Sequence, residues 1–368
     1  MSQISKITLT NFRNFSAKKI DFFSKLNLFV GSNGVGKTNI LESLTLLGRN
    51  NSLRSDNFDE MIAIGEKNFV IRAEISTHEF IENIAVSFDL EKKKKLFHIN
   101  DEPLNSRRQD DVKNHLINFI FLTPQIEQLF ISGKSERRDY LDKIVSDINL
   151  DHSSRINDYK KLLRERLLIL QKYRNNQSGE KWLDIIENQI VELGVAIASA
   201  RLEAIDFFNR AIASFASNFP KTKLCVIGEI EEILPQQSAV QLEEFYRSQL
   251  LKNRHLDCES FKTNFGIHRC DFDALFVDKN MSALFSSTGE QKAIMISITL
   301  ARAKISAAYK NQPTILIFDE VVSHLDSMRK ENLFAEISAT NLQSFFSATN
   351  VDLIPKKFVE EMRIIELL

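Results

Sequence analysis

The octet Gly31-Ser32-Asn33-Gly34-Val35-Gly36-Lys37-Thr38 narrows the folds open to this chain more than any other segment. Its outer glycines, separated by four residues and followed by Lys and Thr, form the pattern of a phosphate-binding loop, which works only between a strand and a helix. The flanks supply both. Leu26, Leu28, Phe29 and Val30 make a short apolar run of buried-strand type, and Ile40, Leu41, Leu44 and Leu47 follow at helical spacing up to Gly48, read as a C-cap. Glycines let backbone N–H groups approach phosphates closely, and the positive end of the following helix adds to the grip on an anion. Gly31, Ser32, Asn33, Gly34, Val35 and Gly36 therefore wrap the phosphates, Lys37 reaches the β- and γ-phosphates, and Thr38 ligates Mg²⁺. Far downstream, the apolar run Ile315-Leu316-Ile317-Phe318 delivers Asp319 and Glu320 to its C-terminal end, where ligands of open α/β sheets bind. Asp319 is the natural second Mg²⁺ ligand, and Glu320 is placed to polarise an attacking water. Together the two segments predict an ATP site with catalytic Lys37 and Glu320.

The rest of the chain organises around that site. Residues 1 to about 135 read as mixed α/β: alternation at Ile4, Ile7 and Leu9, a hairpin from Ile84–Phe88 to Leu96–Ile99, and a buried run from Ile117 to Leu122 before Pro124. From about 136 to 217 strand signals vanish. Tyr159, Leu163, Leu167, Leu170 and Tyr173 recur every three or four residues. After a loop at Arg174 to Lys181 the pattern resumes with Trp182, Ile186, Ile190, Leu193, Ile197, Ala204, Phe208 and Ile212. This predicts a helical hairpin whose second arm spans about 50 Å. Strand character returns after about 260, with Ser344 to Ala348 and Arg363 to Leu368 as late strands. The expected organisation is an α/β ATPase head, a mixed sheet flanked by helices, formed by residues 1–135 and 261–368 and split by an all-α lobe at 136–260.

A third segment, Phe285-Ser286-Ser287-Thr288-Gly289-Glu290-Gln291-Lys292, precedes a helix carrying Ile294, Ile298, Ala301 and Ile305. Ser287 and Gly289 at a helix start offer a second anion site. The phosphate loop already serves nucleotide in its own chain, so this segment is most useful against nucleotide held by another copy. Alone it also reads as an ordinary cap, with Ser287 or Thr288 as N-cap and Glu290 or Gln291 closing a capping box.

Composition excludes several classes. The 48 basic and 49 acidic side chains give a net charge of −1, so any nucleic-acid contact has to come from local patches. Lys92 to Lys95, Arg107-Arg108, and Lys160, Lys161, Arg164 and Arg166 are the candidates, beside the alternative of solvated charge. Cys225, Cys258 and Cys270 are odd in number and widely spaced, which fits thiols in a reducing cytoplasm better than disulfides or zinc. No apolar run is long enough for a membrane span, and no signal-peptide core follows Met1.

These motifs, in this order, resemble the ABC-type ATPase heads of the SMC superfamily and, within it, the RecF family of bacterial recombinational-repair ATPases. Four stretches carry the closer likeness: Leu9-Thr10-Asn11-Phe12-Arg13-Asn14-Phe15; Pro124 with Leu129, Gly133 and Arg137-Arg138-Asp139-Tyr140-Leu141-Asp142; Gly266-Ile267-His268-Arg269-Cys270-Asp271; and Ser287 to Lys292 with Asp319-Glu320 and Ser323-His324-Leu325-Asp326. The chain departs from the pattern at Ile267, where Pro is usual, and at Glu290, where ABC signatures carry Gln. No switch His follows Phe345-Phe346-Ser347-Ala348, so Thr349 or Asn350 would have to serve. The resemblance implies a Mg²⁺-dependent, slow ATPase that forms a homodimer around two ATP molecules. Arg13 and Asp326 then join the nucleotide contacts, and Gln125, after the strand ending at Leu122, reads either as a lid residue at the nucleotide that senses Mg²⁺ and water or as an ordinary polar turn residue. It further implies binding to gapped DNA and single-strand/double-strand junctions, help to RecO and RecR in loading RecA, no membrane partner, and a cytoplasmic location. Two rivals share the nucleotide motifs: an ABC transporter subunit, disfavoured by the long hairpin and the Arg137-Arg138 segment, and a structural SMC-like protein, for which the insertion is far too short.

Overall fold

In a computed structural model of the chain, residues 3–48, 53, 57–76, 81–104, 117–172, 177–215, 221–309 and 314–367 are described. They fold into two compact units. The first comprises residues 1–127, 215–219 and 295–368, the second 128–214 and 220–294.

The first unit contains two sheets. Strands β1 (Gln3–Phe12), β2 (Phe15–Asp21), β4 (Asn68–Ser76), β5 (Ile81–Asp89), β6 (Lys94–Ile99) and β7 (Glu102–Pro103) form an antiparallel sheet in the order β2-β1-β4-β5-β6-β7. The expected hairpin is there, with Ile84 opposite Ile99 and Phe88 opposite Lys95. In β1, Ile4, Ile7 and Leu9 are all fully buried although Ile4 and Ile7 are an odd number of residues apart. A register shift between Ile4 and Lys6 inserts an extra residue, which turns both side chains to one face.

The second sheet is parallel and takes strands from both ends of the chain. Its order is β14 (Met362–Glu366), β3 (Leu26–Val30), β13 (Gln343–Ala348), β12 (Thr314–Phe318) and β8 (Asn118–Leu122). The three inner strands have neighbours on both sides and are buried along almost their whole length, as a sheet covered on both faces requires, with Asn27, Gln343, Ser344 and Ser347 among the buried polar exceptions to the apolar pattern. Gln343 ties the sheets together: its side chain accepts the N–H of Ile4 and donates to the Ile4 carbonyl, each at 2.8 Å. One apolar cluster then runs from Phe12, Phe69 and Phe88 through Ile40, Leu41 and Leu44 to Phe119, Ile317 and Phe345. The helix after the phosphate loop, Lys37–Thr45, ends with Leu46 as its C-cap rather than Gly48. Gly48 has a packing role instead, since a β-carbon there would lie 2.4 Å from the Phe119 ring.

The second unit holds the helices Lys134–Ser146, His152–Lys172, Gln177–Ala213 and Ala239–Ser260. The hairpin is present, and its second arm of 37 residues begins inside the segment expected as loop. Most of the periodic residues are buried, but Trp182 is 49% exposed. The unit is not wholly helical. Strands β9 (Thr222–Ile227), β10 (Asp271–Phe276) and β11 (Met281–Ser282) form a sheet in the order β11-β10-β9, with β9 antiparallel to β10. Thr222–Ile227 is one short strand between long helices, and its pairing partner lies more than forty residues on, so periodicity within the segment gives little sign of it. The helix Thr288–Tyr309 follows this sheet, with Ile294, Ile298 and Ala301 fully buried and Ile305 nearly so.

Candidate nucleotide site

The phosphate loop joins the end of β3 to the helix Lys37–Thr45. Two glycines show why the pattern is strict. A β-carbon at Gly31 would sit 2.6 Å from the Leu367 carbonyl oxygen, and Gly36 has φ +103° with Asn14 and Phe15 packed where a side chain would go. The loop thus needs both a left-handed turn and a close backbone approach. Ser32, Asn33 and Gly34 are exposed, and Val35 packs toward the core. Lys37 is only 4% exposed, and its ammonium donates to the carbonyls of Gly31 and Ser32 at 2.7 and 2.9 Å. The cation is held inside the loop, with one of its three donors to spare.

The tip of the β1–β2 hairpin buttresses this loop. Phe12 pairs with Phe15, leaving Arg13 and Asn14 as a two-residue turn, with Arg13 at φ +54°. Asn14 donates to the Val35 carbonyl at 3.2 Å and accepts from the Asn39 amide at 2.8 Å. Arg13 grips the fully buried Glu42 carboxylate through Nε and Nη2 at 2.8 and 3.0 Å, and donates to the Glu60 carbonyl at 2.8 Å. Its guanidinium is therefore used mainly to fasten the hairpin to the loop's helix. Sequence reading had singled out Arg13 and missed Asn14.

The carboxylates lie at the C-terminal edge of the parallel sheet. Strand β13 stands between β3 and β12, and this places Ser347 beside the end of β12. Asp319 Oδ1 accepts hydrogen bonds from Thr38 Oγ1 at 3.1 Å and from Ser347 Oγ at 2.6 Å, and the Asp319 N–H donates to the Leu122 carbonyl at 3.0 Å. Ser347 Oγ also accepts the Glu320 N–H at 2.8 Å, and Glu320 sits at φ +56°, a left-handed conformation unusual for a residue with a side chain. One fully buried hydroxyl thus sets both carboxylate residues. The expectation that Thr349 or Asn350 would serve in this region passed over Ser347. The only sequence sign of it was a hydroxyl near the end of a predicted apolar strand.

The donor set fits a magnesium ion. A hydroxyl and a carboxylate oxygen are hard ligands, and Mg²⁺ is commonly held by one or two such groups plus phosphates and waters. Among the described residues no cluster of His, Cys, Asp and Glu could hold a metal by itself. Gln125 is exposed in the short helix Pro124–Glu127 that follows β8, three residues beyond Leu122, whose carbonyl receives the Asp319 N–H. Asp326 is exposed and caps the helix Ser327–Thr340 by accepting the Arg329 N–H at 2.8 Å.

In the second unit, Ser287 and Gly289 are exposed at the start of the helix Thr288–Tyr309. Glu290 supplies only half of the expected capping box: its Oε2 accepts the Ser287 N–H at 2.8 Å, while the Ser287 hydroxyl donates to the same oxygen at 2.7 Å. Gln291 is 4% exposed and donates to the Ala283 carbonyl at 2.8 Å, so it faces inward.

Two of the family-like segments, Arg137-Arg138 and Gly266 to Asp271, have structural partners within this unit. Arg137 is 6% exposed and makes a bidentate pair with Asp271, both bonds at 2.8 Å, and Arg138 donates to the Cys270 carbonyl at 2.9 Å. Burial raises the Asp271 pKa, but the Arg137 hydrogen bonds and charge outweigh it and hold the carboxyl below its usual range. His268 donates from Nε2 to the Thr263 carbonyl at 2.8 Å and accepts at Nδ1 from Tyr159, whose hydroxyl also meets that of Tyr246 at 2.7 Å. Burial pushes His268 down to about 4. Gly266 is needed beside them, at φ +138°, because a β-carbon would lie 2.4 Å from the Tyr246 hydroxyl.

Arg166 does not belong among the candidate surface contacts. It is fully buried, bound to Glu187 at 2.9 Å, Asp257 at 2.7 Å and the Leu250 carbonyl at 2.9 Å. Lys160 is exposed and pairs with Asp139 at 3.4 Å. Lys93 pairs with Asp59, and Lys95 lies 4.9 and 4.5 Å over the rings of Phe58 and Phe97. Arg107 and Arg108 lie outside the described residues. All three cysteines are free thiols, with Cys270 pushed up to about 12 by burial.

Residues 3–358 match the family model described as RecF/RecN/SMC N terminal domain. A DNA replication and repair protein RecF of Agrobacterium fabrum is 33% identical over 94% of this chain and 92% of its own length. Another, from Rickettsia felis, is 30% identical over 99% of this chain and 98% of its own. Among solved structures, the recombination mediator protein RecF with ATP aligns at TM-score 0.78 and 25% identity, covering 95% of this chain and 94% of that one. The Smc head domain of Pyrococcus furiosus aligns at TM-score 0.56 and 16% identity, which bears on fold alone. Full-length matches of this kind set aside the transporter reading, and the chain belongs to the RecF family of DNA replication and repair proteins, within the SMC-type ATPases.

Proposed function

We propose that the chain is an ATP-driven switch of recombinational repair: ATP joins two copies into a closed dimer on gapped or junction DNA, and slow hydrolysis releases it. The observation that carries this reading is the assembly of Thr38, Asp319, Ser347 and Glu320 at the sheet edge beside the phosphate loop. Gly31 to Gly36 and Lys37 would hold the phosphates. Thr38 and Asp319 would hold Mg²⁺, which when bound neutralises phosphate charge, and Gln125 would watch over that ion. Glu320 would orient water for attack. Arg13 retains donors that its bonds to Glu42 and Glu60 do not use, and Asp326 stands in the loop that follows Glu320.

Ser287 and Gly289 would meet nucleotide bound by the partner copy. ATP then favours the dimer because both faces touch it only there, and a few kcal/mol of differential binding suffices to move such an equilibrium. By likeness to RecF proteins, one of which is a recombination mediator in the RecFOR pathway, the released or clamped states would assist RecO and RecR in loading RecA. The working place of such a switch would be the cytoplasm, on DNA; among the described residues no helix is long and apolar enough to cross a membrane.

The test is sedimentation of the full chain carrying Glu320→Gln, with no nucleotide, with ADP and with ATP, each with and without gapped duplex. A dimer confined to ATP, with tighter DNA binding, is expected. Adding Ser287→Arg should keep ATP binding by monomer and abolish the dimer. An ATP-indifferent monomer with no DNA affinity would overturn the reading.

A further inference from the structure

The start of the helix Thr288–Tyr309 already holds an anion of its own. Both Ser287 donors, the backbone N–H and the hydroxyl, are directed at one oxygen of Glu290, at 2.8 and 2.7 Å. The other oxygen takes the ammonium of Lys279, which stands at the end of the short turn Val277–Lys279 between β10 and β11, close to the Phe276 ring. The Glu290 side chain is 11% exposed and Lys279 59%. Hydrogen bonds from Lys279, then from the Ser287 side chain and backbone, hold Glu290 down to about 2, so the carboxylate is charged at any working pH. A helix N-terminus attracts anions, and a carboxylate in its first turn competes with a phosphate for the same field and the same donors. Left uncompensated, Glu290 would repel a terminal phosphate arriving at Ser287.

We propose that Lys279 is a positioning residue for the Ser287 segment: it anchors the Glu290 carboxylate and cancels its charge, freeing the Ser287 hydroxyl to turn from Glu290 to the terminal phosphate of an ATP held by a second copy of the chain. This rests on the reading of Ser287 as a contact to the partner's nucleotide. The Ser287–Glu290 bonds are then the resting arrangement, and the nucleotide competes with Glu290 for the hydroxyl. Lys279 also sets the local charge: neutral with the pair intact, negative without Lys279, positive without the Glu290 charge.

The experiment measures the ATP concentration giving half-maximal dimerisation, by sedimentation of full-length protein carrying Glu320→Gln, at low and high salt. Lys279→Ala should raise it about fivefold per nucleotide site at low salt, the scale of a partly screened charge at a helix start, and less at high salt. Glu290→Gln should lower it by a similar factor, the double variant should return to within about twofold of the parent, and Lys279→Arg should match the parent. ATP binding by the monomer, measured by equilibrium dialysis, should not move in any of them. If Lys279→Ala leaves the midpoint unchanged while Ser287→Arg abolishes the dimer, the Lys279 role fails and the partner-contact reading stands. A double variant as impaired as Lys279→Ala also overturns it, since Lys279 would then act without Glu290. If Ser287→Arg dimerises normally, the partner-contact reading itself fails and takes the Lys279 role with it.

Discussion

Ser347 shows how much one hydroxyl decides. It donates to Asp319 and accepts from the Glu320 backbone, so it fixes the proposed metal ligand and holds the left-handed turn that aims Glu320. Ser347→Ala is expected to lower the ATP turnover rate about tenfold, the scale of a lost buried hydrogen bond to a charged group. Affinity for ATP should change little, because Lys37 and the loop are untouched, and Ser347→Thr should keep most of the rate. Steady-state hydrolysis beside equilibrium binding separates the two quantities. At His268 the sign of the pH effect is set by its lowered pKa of about 4. The unfolded chain takes up the proton first as pH falls, so the stability tied to neutral His268 is complete above about 6.5, declines toward 4, and levels off once the folded form is protonated as well. Urea unfolding at a series of pH values should show the gap between parent and His268→Gln shrinking by up to about 3 kcal/mol over that window. A constant gap would show that His268 titrates normally.

The helical lobe is held at the level of elements by two buried arginines. Arg166 on His152–Lys172 meets Glu187 on Gln177–Ala213 and both Asp257 and the Leu250 carbonyl on Ala239–Ser260, so one guanidinium ties three helices. Arg201 does the same for Gln177–Ala213, reaching Asp142 at 2.9 Å, Glu231 at 3.3 Å and the Ile267 carbonyl at 2.8 Å. Removing one partner of such a group leaves carboxylates buried without compensation, which costs about 3–5 kcal/mol. Arg166→Ala should therefore lower the stability of this unit by that amount in denaturant unfolding. Arg164→Ala, two residues away, should stay within about 0.5 kcal/mol, because Arg164 is not buried and its Nε bonds only the carbonyl one turn back. Helical spacing foretold the two arms of the hairpin, since Ile186, Ile190 and Phe208 repeat with the period of the helix itself. It gave no hint that Arg166 points inward. In one helix a basic residue reads as surface, and only three helices meeting can supply the carboxylates that make burial tolerable.

At the scale of the whole molecule, the parallel sheet is assembled from distant parts of the chain. Strand β3 lies between β13 and β14, and β8 pairs with β12, so neither N-terminal strand has a partner in that sheet before residue 314 is reached. A fragment of residues 1–135 should consequently show no cooperative unfolding transition and no ATP binding, although it contains the entire phosphate loop. Calorimetry with and without ATP checks this, and a cooperative transition that shifts with ATP would refute it. What the sequence determined alone was whatever is written in contiguous residues: the glycine pattern from Gly31 to Thr38, the apolar run that ends in Asp319 and Glu320, the long helical repeat, and the cap at Ser287. Each depends on local backbone geometry or on a period of two or 3.6 residues, so neighbours in sequence suffice to show it. Tertiary structure alone decided that β13 stands between the two nucleotide strands and brings Ser347 to both carboxylates. It decided that Asn14 braces Val35, that Arg137 and Arg166 are buried, and that Lys279 reaches Glu290. Those outcomes depend on which strands become neighbours and on whether a charge finds an opposite one, and the groups concerned are brought together by pairing and packing rather than by their spacing along the chain.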